Sequence, residues 1–577
     1  MPRPACPPQP TPAFRGAVQA QLGRDPSPLE LEGVARWARA VADGEVLERT
    51  SDLPPHLGTQ GALLAAFASD PEEAWLRLRT LGGSSLALLG TPDQADALEA
   101  FTLGVGLEAG PQGTLPVAFA AGCRSGSEAP PTEATRVVRL EGRAPEALGR
   151  GAQARALVGL PMLSADPATL VAWALDRQVA LEVDLGSDPG LWALSLVSPE
   201  RVEELAGHLG AWGLRAVTAG RLTGCGRIQI RAGARGEVDL PLALDPTGVP
   251  EPFAEGATAP AITSALPPDL NEGEVERTFH ALRTSEGPRS RALGEAREGS
   301  ESLALNAGSL PHLVALDPYW GAVATVAEAS LGLACAGAEP LGLALALPRE
   351  VPPGLLLGLR QAAVSLELPV LELERIEGLA APVAVALGEF APGAGPVDVE
   401  APEARGLSGV APRICGAAFR RAFDGLFLLG ARRGELGGSR ILDFRGGVDL
   451  CPEPWLDADF HLQACVREGV RLGLLRSAHA LGRGGLLLAV LEGVRASGLG
   501  CQLFLGREGL RLDALCFGEA PGRVLVSVSA EGESALRTLA RTHQVPLAKV
   551  GVVGGPHFTV AVDGAPLLEV ALSELTD

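Results

Sequence analysis

Apolar and polar positions along this chain fall into a few repeated patterns. In SPLELEGVARWARAVADGEVL, apolar residues return at helical spacing after a Ser-Pro start, and this predicts helices across residues 28–80. A second pattern occurs twice. LWALSLVSPERVEELAGHLGAWGLRAVTAGRLTGCGRIQI and RVLVSVSAEGESALRTLARTHQVPLAKVGVVGGPHFTV each read strand, helix, strand, Gly-containing turn, strand. A constant offset of 331 pairs Gly220 with Gly551, Ser198 with Ser529, Glu200 with Glu531, Leu205 with Leu536 and Gly224 with Gly555, without a gap. Each predicted helix opens after Ser-x-Glu, a capping arrangement. A weaker match relates residues 84–119 to 339–373, both strand, Pro-containing loop, helix, short turn, strand. A period near half the chain length predicts duplication of a two-domain unit rather than a solenoid.

Pro- and Gly-rich stretches divide the pattern. Residues 1–14 read as a disordered tail, and linkers are expected at 125–135, 245–269, 285–300 and 390–406. The resulting division is a tail and helical region at 1–74, a reduced α/β domain at 75–130, an α+β domain at 135–250, a second α/β domain at 270–390 and a second α+β domain at 405–577. The expected fold is α/β and α+β, a tandem pseudo-symmetric duplication with its first half shortened. At roughly 100–200 residues per domain, 577 residues suit this division.

Composition narrows the chemistry. Net charge is −21 and Lys549 is the only lysine, so no basic face for nucleic acid and no Walker-type G-x-x-x-x-G-K-[ST] loop can be built. Nine cysteines, at 6, 123, 225, 335, 415, 451, 465, 501 and 516, form no C-x-x-C pair, and most lie in apolar runs. They suit a reducing, cytoplasmic setting. No apolar signal core opens the chain and no run of 18 uncharged apolar residues spans a membrane. G-x-S-x-G and H-E-x-x-H are absent, and GVGLEAG at 104–110 has the wrong spacing for a dinucleotide loop and reads as a helix–strand turn.

The most unusual stretch is LDPYWGAVATVAEASLGLACAGAEPLGLALAL, residues 316–347, which holds the only tyrosine, Tyr319. Asp317 is placed to cap a helix and Pro318 suits its first position. The small residues that follow allow that helix to lie close to a sheet. The stretch resembles the Asp-Pro-Tyr-x-Gly-Ala segment, the Ala-Val-Ala-Glu-Ala helix and the Gly-Ala-x-Pro turn of the synthetase subunit of phosphoribosylformylglycinamidine synthase (FGAM synthase), in the aminoimidazole-ribonucleotide (AIR)-synthase-like superfamily. LFLLGARRGELGGSRIL (426–442) resembles that family's Gly-Glu-Leu-Gly-Gly-Ser loop, the segment 468–505 its Ser-Ala-His helix entry, and FGEAPGRVLVSV (517–528) its Phe-Gly-Glu motif. The resemblance implies two pseudo-symmetric AIR-synthase-like domain pairs and ATP-dependent amidation of formylglycinamide ribonucleotide. It also implies Mg²⁺ as a cofactor, with ammonia from a glutaminase partner and possible small subunits. By this resemblance the ligand-binding candidates are Asp317, Tyr319, Gly437, Gly438, Ser439, Ser477, His479, Arg483 and Glu519.

The same residues also read structurally: Asp317 as a cap, Gly437-Gly438-Ser439 as a tight turn, Ser477 as a capping group, His479 as a packed side chain and ARRGE (431–435) as a solvated loop. Several departures from the family concern charge. Where the family has Asp-x-Ser-Asp after Ser-Ala-His, this chain has Ala480-Leu481-Gly482-Arg483, so two hard oxygen ligands are lost and a cation stands in their place. The family's His-containing motifs of the first half are missing: His56 and His208 lie in other settings. Leu345-Ala346-Leu347-Pro348 and Glu372-Leu373-Glu374-Arg375 replace two further loops. Two function classes follow: an ATP-dependent C–N ligase with an altered site, or a catalytically degenerate relative that binds, scaffolds or regulates.

Overall fold

The computed structural model describes residues 10–47, 63–68, 105–108, 114–123, 135–141, 162–164, 166–186, 191–203, 206–207, 215–246, 263–284, 294–298, 301–376, 379–390, 395–396 and 413–575. His56, His208 and most of 75–130 lie outside these residues, as does the expected linker at 125–135 apart from Thr135.

Thr11 caps helix α1 (Pro12–Leu22), its Oγ1 accepting from Phe14 N at 3.2 Å, so the tail reading is replaced by a helix from residue 12 onward. Helix α2 (Pro28–Val46) follows as expected, but the helical reading fails beyond it: Leu63–Ala68 is strand β1. Strand β1 joins β2 (Val105–Glu108) and β3 (Thr114–Cys123) in a sheet of order β1-β3-β2. Residues 105–108 of the expected turn at 104–110 instead form a strand, because Val105 and Leu107 pair with β3 rather than ending a helix; 104, 109 and 110 lie outside the described residues.

A seven-stranded sheet comes next. It comprises β4 (Arg136–Glu141), β5 (Met162–Ser164), helix α3 (Pro167–Asp176), β6 (Leu181–Asp184), β7 (Leu191–Val197), β8 (Arg215–Leu222), β9 (Arg227–Arg231) and β10 (Glu237–Pro241). Helices α1 and α2 bury Phe14, Val18, Val34 and Trp37 with α3 against Val183, Leu194 and Ile230 of this sheet. Gly33 lets α2 meet α3 closely, since a Cβ there would sit 2.6 Å from Val171 Cβ.

Helix α4 (Glu272–Thr284) precedes the second α/β sheet, formed by β11 (Gly294–Glu298), β12 (Glu301–Gly308), β13 (Glu339–Pro348), β14 (Val370–Ile376) and β15 (Val383–Glu389) in the order β11-β12-β15-β13-β14. The expected linker at 285–300 thus contains strand β11, which pairs with β12. Between β12 and β13 lie α5 (Pro311–Leu316) and α6 (Pro318–Ala336), and between β13 and β14 lies α7 (Leu355–Ser365). Fourteen of the residues in α6 are buried, on every side, and a helix that is apolar all round belongs inside a fold. Its small residues are sterically required: a Cβ on Gly332 would lie 2.0 Å from Asn306 Nδ2, and one on Gly321 would lie 2.3 Å from Val314 N.

A two-residue pairing of β16 (Gly395–Pro396) with β17 (Arg413–Ile414) leads into the last domain. Its elements are β18 (Gly425–Leu429), α8 (Arg440–Arg445), α9 (Leu456–Arg471), β19 (Ser477–Ala480), α10 (Gly485–Ser497), β20 (Cys501–Leu505), α11 (Leu512–Phe517), β21 (Val524–Val528), α12 (Glu533–Thr542), β22 (Leu547–Val553), β23 (His557–Val562) and β24 (Ala565–Ala571). Helix α4, which the sequence division puts in 270–390, packs Phe279 edge-on to Phe558 of this last sheet at 5.6 Å.

The two seven-stranded sheets share one topology. The orders β5-β7-β4-β8-β6-β9-β10 and β19-β21-β18-β22-β20-β23-β24 match position for position. In each, the pairing of the fifth and sixth strands is parallel, and the others are antiparallel. Both carry a register slip at the same place, between Val137 and Val138 on β4 and between Leu426 and Phe427 on β18. Gly220 and Gly551 lie opposite those slips, and a Cβ on either would strike a neighbouring carbonyl: Glu182 O at 1.9 Å or Gln502 O at 2.2 Å. The offset of 331 read from the sequence therefore relates residues with the same steric task.

The halves differ in what lies between matched strands. From β4 to β5 the chain has twenty residues (142–161), against forty-seven (430–476) from β18 to β19. From β6 to β7 it has six (185–190), against eighteen (506–523) from β20 to β21.

Candidate functional site

The longer connections of the second half carry the candidate site. After β18 the chain turns through Gly430-Ala431-Arg432-Arg433-Gly434-Glu435-Leu436-Gly437-Gly438-Ser439 into α8. Two glycines are sterically fixed here. A Cβ on Gly437 would fall 1.8 Å from Leu450 O; Gly438 has φ +69° and would place a Cβ 2.5 Å from Leu313 Cδ2 and 3.0 Å from His312 Cδ2. The α5 helix of the preceding domain therefore sits directly on this turn.

Ser439 stands at the N-cap of α8 but does not cap it through its side chain. Its Oγ accepts from the backbone N–H of Glu519 at 3.1 Å, tying the loop after α11 to the turn. The Glu519 side chain then occupies the space between two helix starts. Its Oε1 accepts from Arg440 N at 2.8 Å and from Gly484 N at 2.7 Å, and its Oε2 accepts from Arg483 Nη1 at 3.1 Å. Arg483 Nη1 also donates to Gly438 O at 2.7 Å, and Nη2 reaches Asp443 Oδ2 at 3.4 Å. Its guanidinium is 16% exposed and the Glu519 carboxylate 5%.

The arrangement pairs Arg483 with Glu519 but leaves the buried Arg483 Nε and Glu435 Oε2 without a hydrogen-bond partner. Burial pushes the Glu519 carboxyl above its ordinary range, while the Arg483 charge and the two backbone N–H groups act the other way. His312 is driven down to about 3, first by burial and then by the Arg483 charge, so it stays neutral. Arg523, wholly buried, is lowered to about 10 by burial, against the pull of Glu519 and Glu435. It donates to Ala520 O at 3.2 Å and Gly518 O at 2.7 Å, holding the loop that presents Glu519.

Of the sequence-predicted candidates, Gly437, Gly438, Ser439, Arg483 and Glu519 come together. The others do not join them. Asp317 is a helix cap: its Oδ1 accepts from Tyr319 N at 2.9 Å and Trp320 N at 3.0 Å. Tyr319 stacks edge-on to Trp320 at 4.8 Å and packs with the core of its own domain. Ser477 is buried on β19, sharing a hydrogen bond with Ser527 Oγ at 2.6 Å. His479 lies 3.3 Å from Glu492 Oε2. The expected solvated loop at 431–435 is instead anchored. Arg432 pairs with Glu508, and Arg433 pairs with Glu435, donates to Glu453 O at 2.6 Å and lies 4.2 Å over the Trp455 ring.

Several members of this cluster had no individual signal in the sequence. Arg440 contributes a backbone N–H, which the Gly-Gly-Ser turn before a helix could have indicated. His312 and Asp443 had no motif around them. Asp459 on α9 is a further case. Its carboxyl is 5% exposed, Oδ2 meets no donor, and burial raises it to about 7 with only Arg433 opposing.

A divalent cation does not fit this donor set. The carboxylates at the turn are already engaged: Glu519 with three N–H donors, one from a guanidinium that would repel a metal ion, Glu435 with Arg433, and Asp449 with Leu436 N. Among the described residues no group of three or more His, Cys, Asp and Glu side chains could hold a metal. Among them too, no helix is long and apolar enough to cross a membrane.

Residues 424–563 match the family model described as the AIR synthase related protein, C-terminal domain. The subunit PurL of phosphoribosylformylglycinamidine synthase from Thermomicrobium roseum is 30% identical over 434 residues, covering 67% of this chain and 56% of that protein. PurL from Anaeromyxobacter dehalogenans strain 2CP-C is 30% identical over 436 residues, covering 66% and 55%. The chain thus spans just over half the length of these curated relatives. In structure, Thermotoga maritima PurL complexed with ATP superposes with a TM-score of 0.58 at 13% identity, covering 94% of this chain and all of that one. The PurLQS structure from the same organism gives a TM-score of 0.56 at 14% identity, with the same coverage of this chain. At such identity the superpositions establish the fold.

Proposed function

From the premise that this chain is a PurL-like protein of the AIR-synthase-related family, we propose that it is a binding or regulatory relative whose synthetase site has been closed from within. The observation that carries this reading is the Arg483–Glu519 pair. Arg483 stands where the resemblance places an acid, and it takes up the carboxylate of Glu519, which the resemblance makes a ligand-binding candidate. The second half therefore keeps the turn, the helix starts and Glu519, but fills them with its own ion pair.

The first half supports the same reading by a different route. Its sheet matches strand for strand, yet only six residues replace the eighteen that hold α11 and the Glu519 loop, and twenty replace the forty-seven that hold the Gly-Gly-Ser turn, α8 and α9. One pseudo-equivalent site is plugged, and the two connections that would build the other are shorter by 27 and 12 residues. Glutaminase and small subunits of the FGAM synthase type are the natural partners of such a scaffold.

The second reading, a working ligase, is favoured by one feature: two backbone N–H groups still converge at the turn, as an anion site requires. Release of ADP from ATP and Mg²⁺, measured with formylglycinamide ribonucleotide and an ammonium salt and with T. maritima PurL in parallel, separates the two. The expected result is no release that depends on both substrates. Turnover that requires both would establish the ligase and end the binding-protein reading.

A further inference from the structure

Four large apolar side chains stand out into solvent within one twelve-residue stretch beside the closed turn. They are Phe444, 56% exposed, Val448, 39%, Leu450, 58%, and Trp455, 54%. Isolated exposed apolar residues are ordinary, but a cluster of this kind marks an interaction surface.

The backbone beneath them is fixed. Val448 and Ala265 exchange backbone hydrogen bonds of 2.7 and 3.3 Å. Asp449 accepts from Leu436 N at 3.2 Å and Leu450 N at 2.9 Å. Leu450 O fills the space that Gly437 leaves. Arg445 donates to Pro268 O at 2.7 Å, and Arg433 holds both Glu453 O and the Trp455 ring. The apolar groups are thus presented by a pre-organised segment, which reduces the ordering cost of association.

The fully exposed charge around the cluster is acidic; Arg511, which faces Asp449, is 31% exposed and paired with Asp513. Asp443, Glu453 and Asp457 are exposed, whereas the guanidinium groups of Arg433, Arg445 and Arg483 are 12%, 16% and 16% exposed and already engaged. A second copy of this chain would bring the same acidic rim and be repelled, and so would a nucleic acid or an anionic lipid surface.

We propose that residues 444–455 form a docking surface for a partner protein that presents a basic amphipathic helix, its apolar side chains meeting Phe444, Leu450 and Trp455 and its basic residues meeting Asp443, Glu453 and Asp457. Apart from Asp443, whose carboxylate also reaches Arg483, the surface uses none of the side chains that close the turn, so the inference holds whether or not the chain binds nucleotide.

The test is binding of two dye-labelled 18-residue helical peptides to the full chain, followed by anisotropy. Both place leucine at positions i, i+3, i+4 and i+7; one has lysine and the other glutamate elsewhere. The lysine peptide is expected to bind, the F444S/L450S/W455S variant to weaken it at least tenfold, and the E453Q/D457N variant to weaken it about threefold, with no binding of the glutamate peptide. The Phe444→Ser single variant guards against a misfolded triple variant and is expected to lose part of the affinity. Equal binding of both peptides, or unchanged binding by the triple variant, would overturn the proposal. So would dimerisation of the wild-type chain alone that the same substitutions remove, which would assign the surface to a second copy.

Discussion

Replacing Arg483 by methionine isolates the interaction on which the closed site depends. The substitution removes the guanidinium but keeps most of the stem. Glu519 would be left at 5% exposure with Arg440 N and Gly484 N as its remaining donors. Removing one partner of a buried pair costs about 3–5 kcal/mol, and the two surviving N–H bonds place this case near 3 kcal/mol. For a cooperative unit of 150–250 residues that corresponds to a Tm lower by about 6–12 °C. The pH dependence has a definite sign. The Glu519 carboxyl already lies above its ordinary 4.5, and loss of the Arg483 charge raises it further. The folded variant then binds more protons than the unfolded chain between 4.5 and the new value, so its stability falls as pH rises through that window. The deficit relative to wild type should be full at neutral pH and shrink toward pH 4.5. Adding Glu519→Gln supplies a neutral acceptor for the same two N–H groups and should recover about 2 kcal/mol. Urea unfolding of wild type, R483M, E519Q and the double variant across pH gives the coupling energy. Additive effects with no pH dependence would refute the reasoning, because Arg483 and Glu519 would then not be acting on each other.

Other perturbations address separate parts of the account. Asp459→Asn should flatten the pH profile of stability. The native carboxyl is raised from 3.8 to about 7, so wild type holds an extra proton in that interval and loses about 1.4 kcal/mol per pH unit as pH rises through it. Thermal melts of both proteins from pH 4 to 8 check this; parallel profiles would contradict it. Asp43→Asn breaks the two-pronged bond from α2 to Arg375, 2.6 and 2.7 Å long and 5% exposed on the aspartate side, and should cost about 3 kcal/mol in urea. Gly220→Ala and Gly551→Ala should each destabilise by more than about 2 kcal/mol, since both drive a Cβ into a carbonyl, whereas Gly16→Ala, in α1 with nothing within 4 Å, should stabilise by about 0.5–1 kcal/mol.

The architecture was legible where one period dominated. The apolar runs of β7 and β21, the intervening helical spacing and the glycines at 220 and 551 all follow from local geometry, so the duplicated sheet could be read from an unbroken offset. The helix after Asp317 was legible for the same reason, because its cap and its small residues are local requirements. Beyond α2 the reading failed. Strand β1 is LLAAFA, and a short apolar run does not reveal whether its neighbours lie along a helix or across a sheet. Strand β11, GEARE, is polar enough to resemble a linker; its pairing with β12 makes it a strand.

In the site, the residues that resembled the family were the legible ones, and the loss of acid at 483 was visible as a charge change. What that charge does was not legible. The partners of Arg483 lie 36, 40 and 45 residues away along the chain, and only the folded turn brings Glu519, Asp443 and Gly438 O to one guanidinium. His312 and Asp459 are of the same kind, since burial and distant neighbours set their protonation and no sequence pattern reports either.

Calorimetric titration of the folded chain with Mg-ATP at millimolar concentration measures the central claim most directly. A turn already filled by its own arginine and glutamate predicts no binding heat in wild type. Saturable one-site binding, abolished by substituting Gly438 or Glu519, would show that the turn still takes nucleotide and would contradict the account.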